Sequence, residues 1–225
     1  MGREHIPAAS LTSHHGFARD VLLLDDCQGT FNWTAAGTGG DDVHAYAAAA
    51  AFTRLKGMHL ATRTTAAADN DYLSATRRLG LPESEVLRLQ CRLNIPLMAK
   101  VAEVDVQLSI NDGINLCCFA IRLMCLSGLV QREDTDGNWV TIPGITVNWS
   151  DAASVLLALD VSVRSMNYLA LSLNGLRAAL PPEGGYLEAS AAGRGITLRY
   201  GIWASAAPPA TVYITDTALL GSLDL

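Results

Sequence analysis

The sequence predicts an all-β sandwich built from about a dozen short antiparallel strands. Apolar and polar residues alternate with a period of two in segments such as 85–93 and 103–110. Turn-forming residues interrupt the chain at the short intervals typical of hairpins, as at 134–138 and 174–175. Half of the 225 residues are hydrophobic, which is enough apolar side chain for a large core.

The first quarter of the chain is irregular. Residues 1–20 are mixed and polar, and we expect them to form an extended N-terminal arm. A short buried strand is predicted at 21–24, and the small, glycine-rich stretch 34–42 indicates a loop. Ala45 to Phe52 fits either a helix, because Ala has the highest helix propensity, or a strand packed tightly against a neighbour.

Strand patterns continue from residue 57 to the end of the chain. The predicted strands are 58–64, 72–79, 85–93, 103–110, 116–126, 129–131, 139–142, 155–163, 168–173, 196–203 and 211–217. The segment 116–126 is nearly all apolar, as expected for a strand covered on both faces. No linker rich in proline, serine or charge divides these strands, so we predict one domain over 21–225.

Composition excludes several partners and compartments. The net charge of -6 argues against a nucleic-acid partner, because phosphate binding needs a basic surface. No apolar run is long enough to span a bilayer, so no membrane partner is expected. The N-terminus lacks the pattern of a signal peptide, which predicts synthesis in the cytoplasm without export. Five cysteines, an odd number, indicate buried free thiols rather than a disulfide framework.

Several segments together resemble the concanavalin A-like jelly roll, the fold of legume lectins and LamG domains. The resemblance runs from Leu22 to Leu219. It depends on Asp25-Asp26, Gly29, Phe31 and Trp33, on the hairpin Asp136-Gly137-Asn138-Trp139, on Trp149, and on the segments Leu157–Asp160, Tyr168–Gly175 and Val212–Asp216. It is a likeness of pattern, and it implies a jelly-roll β-sandwich. Fold alone does not give a function.

The resemblance also indicates where catalytic residues would lie. Glycosidases of this fold carry two or three acids on one strand, commonly as Glu-x-Asp-x-Glu, and retaining hydrolysis needs two carboxyl groups about 5 Å apart. The nearest match is Glu103-Val104-Asp105, with Gln107 in place of the third acid. We therefore expect a solvated strand face here, no catalytic residues and no enzymatic activity.

Metal and glycan sites are the remaining candidates. Asp25, Asp26 and Asp216 form a candidate calcium site, because the N- and C-terminal strands of this fold often pair and calcium needs several oxygen ligands. No other cofactor is expected. Trp139 with Tyr168 is a candidate sugar platform, since glycan binding needs exposed aromatic side chains.

Two classes of function remain, and a third is favoured less. The first is a non-enzymatic structural or interaction protein: a tailed-phage virion component, such as a capsid decoration (cement) or tail protein, which the resemblance allows. Its arm would dock on capsid or tail subunits or on another copy in a homo-oligomer, and the apolar excess favours such a buried interface. The second class is a lectin-like, glycan-binding module. A glycan hydrolase or lyase comes third.

Overall fold

The computed structural model describes residues 20–27, 29–38, 42–48, 56–62, 71–147, 153–190, 192–205 and 209–222. The predicted arm, apart from Asp20, and Trp149 lie outside these ranges. Within them the chain forms sixteen β-strands and a short 3-10 turn at Met98–Lys100. No helix of the described ranges is long and apolar enough to cross a membrane.

The strands follow one another along the whole chain. They are β1 Asp20–Asp25, β2 Thr34–Gly37, β3 Val43–Ala48, β4 Lys56–Ala61, β5 Tyr72–Leu79, β6 Val86–Ile95, β7 Val101–Asn111, β8 Asn115–Met124, β9 Leu129–Glu133, β10 Trp139–Thr146, β11 Ala153–Ser162, β12 Asn167–Leu173, β13 Leu176–Ala179, β14 Tyr186–Ala189, β15 Gly195–Ala204 and β16 Thr211–Ser222.

These strands form two antiparallel sheets of eight strands each. Sheet A has the order β13-β12-β11-β6-β16-β4-β3, with β1 also paired to β16. Sheet B has the order β10-β9-β8-β7-β15-β5-β2, with β14 also paired to β8. Strands far apart in the sequence lie side by side, as β7 and β15 do. The prediction of an all-β jelly-roll sandwich is confirmed.

The hydrophobic core lies between the sheets and takes alternate side chains from each strand. On β7, Val104, Val106, Leu108 and Ile110 are fully buried. Burying one such side chain stabilises the fold by roughly 1.5–3 kcal/mol, so the alternation determines which side of a strand faces the core. The intervening polar residues of β7 consequently lie on the outer face of sheet B.

The structure also shows the conformation of three segments that were predicted from local sequence pattern. Val43–Ala48 is the strand β3, paired with β4, so the alanine-rich run starts as a strand; residues 49–52 lie outside the described ranges. Thr34–Gly37, predicted as loop, is the edge strand β2. The turn at Asn174-Gly175 is confirmed, and both residues have positive φ (49° and 86°), as a tight hairpin turn requires.

Asp25 joins the end of β1 to the segments that follow it. Its carboxylate accepts hydrogen bonds from Trp33 Nε1 at 2.6 Å, the Tyr46 hydroxyl at 2.7 Å and the Cys27 backbone N–H at 3.0 Å. Arg77 Nη1 lies 3.5 Å away. Because Asp25 is buried, these donors replace the water that the charge loses.

We expect the substitution Asp25→Ala to lower the free energy of unfolding by about 3 kcal/mol, because it leaves several donors without their acceptor. Urea unfolding measures the change. Glu188→Ala, at an exposed position, is the control and should shift stability by less than about 0.5 kcal/mol. Equal stability of the two variants would contradict this role of Asp25.

Candidate functional site

The outer face of sheet B carries a connected set of polar and aromatic side chains. On β7 the residues Glu103, Asp105 and Gln107 alternate with core residues and so face outward. The register places Arg122 of β8 opposite Asp105, and Trp203 of β15 opposite Glu103. We define the sheet B site as Tyr72, Glu103, Asp105, Arg122, Glu133, Trp139 and Trp203.

Arg122 holds two carboxylates at the centre of this site. Its Nε and Nη2 donate to the two oxygens of Asp105 at 2.9 and 3.0 Å. Its Nη1 lies 3.2 Å from Glu103 Oε2. The three side chains are only 14–18% exposed, so the pairing is largely shielded from water. A two-pronged arginine–carboxylate contact of this kind also fixes the orientation of both partners.

Aromatic rings extend the site on both sides of Arg122. The guanidinium carbon lies 3.9 Å from the centroid of the Trp139 ring and 5.5 Å from that of Trp203. Trp203 in turn packs on Tyr72, with ring centroids 4.8 Å apart. A Cβ at Gly201 would lie 2.8 Å from the Trp203 ring, so the glycine provides the space that this ring occupies. The result is a row of flat side chains across sheet B from β5 to β10.

The acids of the site have raised pKa values. Burial raises the pKa of Glu103 and of Asp105, while Arg122 opposes the rise. Burial also raises the pKa of Glu133, with a further contribution from the charge of Asp105. Among the described residues, none donates a hydrogen bond to the Glu133 carboxylate. Burial and the charge of Asp105 therefore both favour the protonated form of Glu133, and no hydrogen-bond donor of the described residues opposes them.

The strand register gives the spacing of the acids. Asp105, Arg122 and Gln131 lie opposite one another on β7, β8 and β9. Glu133 is two residues further along β9. Two strand spacings of about 4.8 Å and two residues of about 3.3 Å place the Cα atoms of Asp105 and Glu133 about 12 Å apart. Arg122 lies on β8, the strand between the two acids.

The two residues of the predicted sugar platform lie in different environments. Trp139 belongs to the sheet B site. Tyr168 is fully buried between the sheets, where its ring packs edge-on against Phe119 at 5.1 Å and its hydroxyl hydrogen-bonds the backbone of Ala120. The structure therefore does not bring Trp139 and Tyr168 together, because β12 turns Tyr168 into the core.

The predicted calcium ligands are also separated in their roles. Asp25 is occupied by the donors described above, and Asp216 lies at an irregular position of β16 with Arg92 Nε 3.0 Å from its carboxylate. In the described part of the chain, no group of three or more His, Cys, Asp and Glu side chains is arranged to hold a metal ion. A metal at Asp25, Asp26 and Asp216 stays a prediction.

Sequence reasoning found Glu103 and Asp105 but expected a solvated face at these positions. The structure instead covers them with Arg122 and its neighbouring rings. The signal was Arg122 itself, a single charge inside the apolar run of β8. Trp203 was another signal, because it follows the outward-facing Arg199 and Gly201 at a spacing of two on β15.

No protein-family model matches the chain, and no curated protein sequence matches it. Solved structures do resemble it. A conserved carbohydrate esterase from the Shiga toxin-encoding bacteriophage phi24B shares 14% identity over 84% of this chain and 90% of that one, with a TM-score of 0.53. The endo-1,3-β-glucanase of Streptomyces sioyaensis shares 11% identity over 92% and 97%, with a TM-score of 0.53. The carbohydrate recognition domain of Emp46p, in a potassium-bound form, shares 8% identity over 91% and 97%, with a TM-score of 0.53.

These similarities establish the concanavalin A-like jelly-roll fold of the chain, a fold that includes glycan-binding and glycan-active proteins. They also correct one prediction. The expectation of no enzymatic activity was wrong, because structures of the same fold include an esterase and a glucanase.

We expect Glu133→Gln to raise stability at pH 7. A carboxyl whose pKa is raised by folding binds its proton more tightly in the folded state, so its ionisation costs stability as the pH rises from the ordinary pKa of Glu through the raised value. Gln carries no charge and avoids this loss. Urea midpoints measured from pH 4.5 to 7.5 should show an advantage of Glu133→Gln that grows with pH. Glu188→Gln on the neighbouring β14 is the control, and the same growth there would refute the explanation.

Proposed function

We propose that the protein binds a glycan chain on the outer face of sheet B and hydrolyses it there. The observation that carries this proposal is the meeting of an aromatic row with the Arg122-held acids on the outer face of sheet B. Rings such as Trp139 and Trp203 offer apolar faces with polar edges, which suits the apolar face of a sugar ring. Polar groups between the rings would then orient the chain.

Two acids of the site would act as the proton donor and the proton acceptor of the hydrolysis. Glu133 would give its proton to the glycosidic oxygen as the bond from that oxygen to the anomeric carbon breaks. Asp105, which Arg122 favours in its ionised form, would take a proton from the water that attacks the anomeric carbon. Inverting hydrolases place such carboxyl groups about 6.5–9.5 Å apart. Asp105 and Glu133 lie on strands two apart in sheet B, and we propose this arrangement rather than a retaining pair on β7, where Gln107 replaces the third acid.

Trp139→Ala should weaken glycan binding at least about tenfold, because it removes the ring that packs on Arg122 and with it a stacking surface for the sugar. The change is measured by calorimetry on a ligand first identified on a glycan array. Val140→Ala is the matched control, since Val140 is the exposed neighbour of Trp139 on the opposite face of β10. Absence of any glycan ligand for the parent protein would overturn the proposed function.

Asp105→Asn and Glu133→Gln separate hydrolysis from binding. Each variant should retain affinity for the glycan but lose most release of reducing ends, because one proton transfer is removed. Binding by the parent protein without any release of reducing ends would leave a lectin-like function and reject the hydrolytic step.

We also propose that the protein works as part of a virion, docking through residues 1–20 on capsid or tail subunits or on further copies of itself. The phage esterase of the same fold supports this location. Light scattering should give an oligomer for the full chain and a smaller species for a chain lacking residues 1–20. A monomer that the deletion leaves unchanged would refute self-association through the arm.

A further inference from the structure

Two arginines stand beside the sheet B site with little of their hydrogen-bonding capacity used. Arg199 of β15 lies opposite Gln107, and Arg78 of β5 lies opposite Thr197, all on the outer face of sheet B. Arg199 donates to the Tyr72 hydroxyl, and Arg78 donates to the backbone carbonyl of Gly193. Within the described ranges, neither guanidinium has a carboxylate at ion-pair distance. Arg122, by contrast, is occupied by Asp105 and Glu103.

Arg199 is held in place before any ligand arrives. Its guanidinium carbon lies 5.5 Å from the centroid of the Tyr72 ring. Tyr72 is itself fixed, because its hydroxyl donates to Ser74 Oγ at 2.6 Å and its ring packs on Trp203. A ligand bound by Arg199 therefore meets an ordered group, and less entropy is lost on binding.

The position of Arg199 places it next to the acids of the site. It lies two residues from Gly201, which is opposite Asp105, so the Cα atoms of Arg199 and Asp105 are about 8 Å apart. The charge of Arg199 opposes the burial that raises the pKa of Asp105 and Glu133. Arg122 offsets only one of the two carboxylate charges that it contacts, and Arg199 and Arg78 add two positive charges on the β5–β15 side of the site.

We propose that Arg199, with Arg78 beside it, binds the oxyanion of an acidic sugar in the subsite next to Asp105. This inference rests on the proposed function and names its substrate class. A guanidinium presents parallel N–H donors that match the two oxygens of a uronate carboxylate or the oxygens of a sulfate ester. The guanidinium of Arg199 is held by Tyr72 and has no carboxylate at ion-pair distance among the described residues, so it would give the site a preference that neutral glycans cannot satisfy.

The test compares three sets of oligosaccharides of equal length: neutral, uronate-containing and sulfated. Calorimetry on the parent protein should show at least about tenfold tighter binding of one acidic set than of the neutral set, and the better set identifies the oxyanion. Arg199→Gln should remove this preference while leaving neutral binding unchanged. Arg199→Lys should keep part of it, because it retains the charge but loses the fork of donors. Arg78→Gln should reduce it less than Arg199→Gln.

Arg164→Gln is the control, since Arg164 is an exposed arginine on the turn between two strands of sheet A. A parent protein that binds neutral glycans as tightly as acidic ones would overturn the inference and leave the proposed function intact. Equal loss of neutral and acidic binding in Arg199→Gln, with the urea midpoint unchanged, would also overturn it. Failure of all three sets to bind would overturn the proposed function together with the inference.

Discussion

The core between the two sheets is the constraint on which the rest of the structure depends. Each strand that lines it must turn one set of alternate side chains inward, as β7 does with Val104, Val106 and Leu108. A shift of one residue would bury Glu103 and Asp105 and expose the apolar set. The position of the acids on the outer face is thus fixed by the burial of their neighbours.

Arg122 offsets the repulsion between Glu103 and Asp105 on the outer face of β7. Glu103 and Asp105 lie two residues apart on β7, so their negative charges repel each other. Partial burial destabilises each charge further. A single guanidinium that contacts both carboxylates offsets the repulsion and is itself shielded by the rings of Trp139 and Trp203. Acids, arginine and aromatic rings therefore form one coupled unit, in which changes to its members will not add independently.

The comparison structures separate what the fold provides from what this chain adds. Chains with 8–14% identity adopt the same sandwich, because many apolar sequences satisfy its alternation. The outer face is under no such packing requirement. There this chain carries Gln107 after its Glu103-x-Asp105 pair, and it places Arg199 and Arg78 on the neighbouring strands. What distinguishes this chain from other proteins of the fold therefore lies in these outer-face residues.

Turn chemistry and periodicity by themselves determined the all-β class, most strands after residue 57 and the hairpins. The turn at 134–138 is an example, since the Asp134 carboxylate accepts hydrogen bonds from the backbone of Asp136 and Asn138, within the same few residues. Local signals of this kind can be read from the sequence because the side chain and the backbone groups that it binds are only a few residues apart.

Only the tertiary structure decided which face of each strand is buried and which strands meet. Trp139 and Tyr168 both lie in alternating strands, yet one reaches the outer face of sheet B and the other the core. The site joins Asp105 to Arg122 and brings Trp203 from a strand almost a hundred residues later. Periodicity shows that a strand has two faces, but it carries no information about the partner strand, because that pairing is set by packing of the whole sandwich.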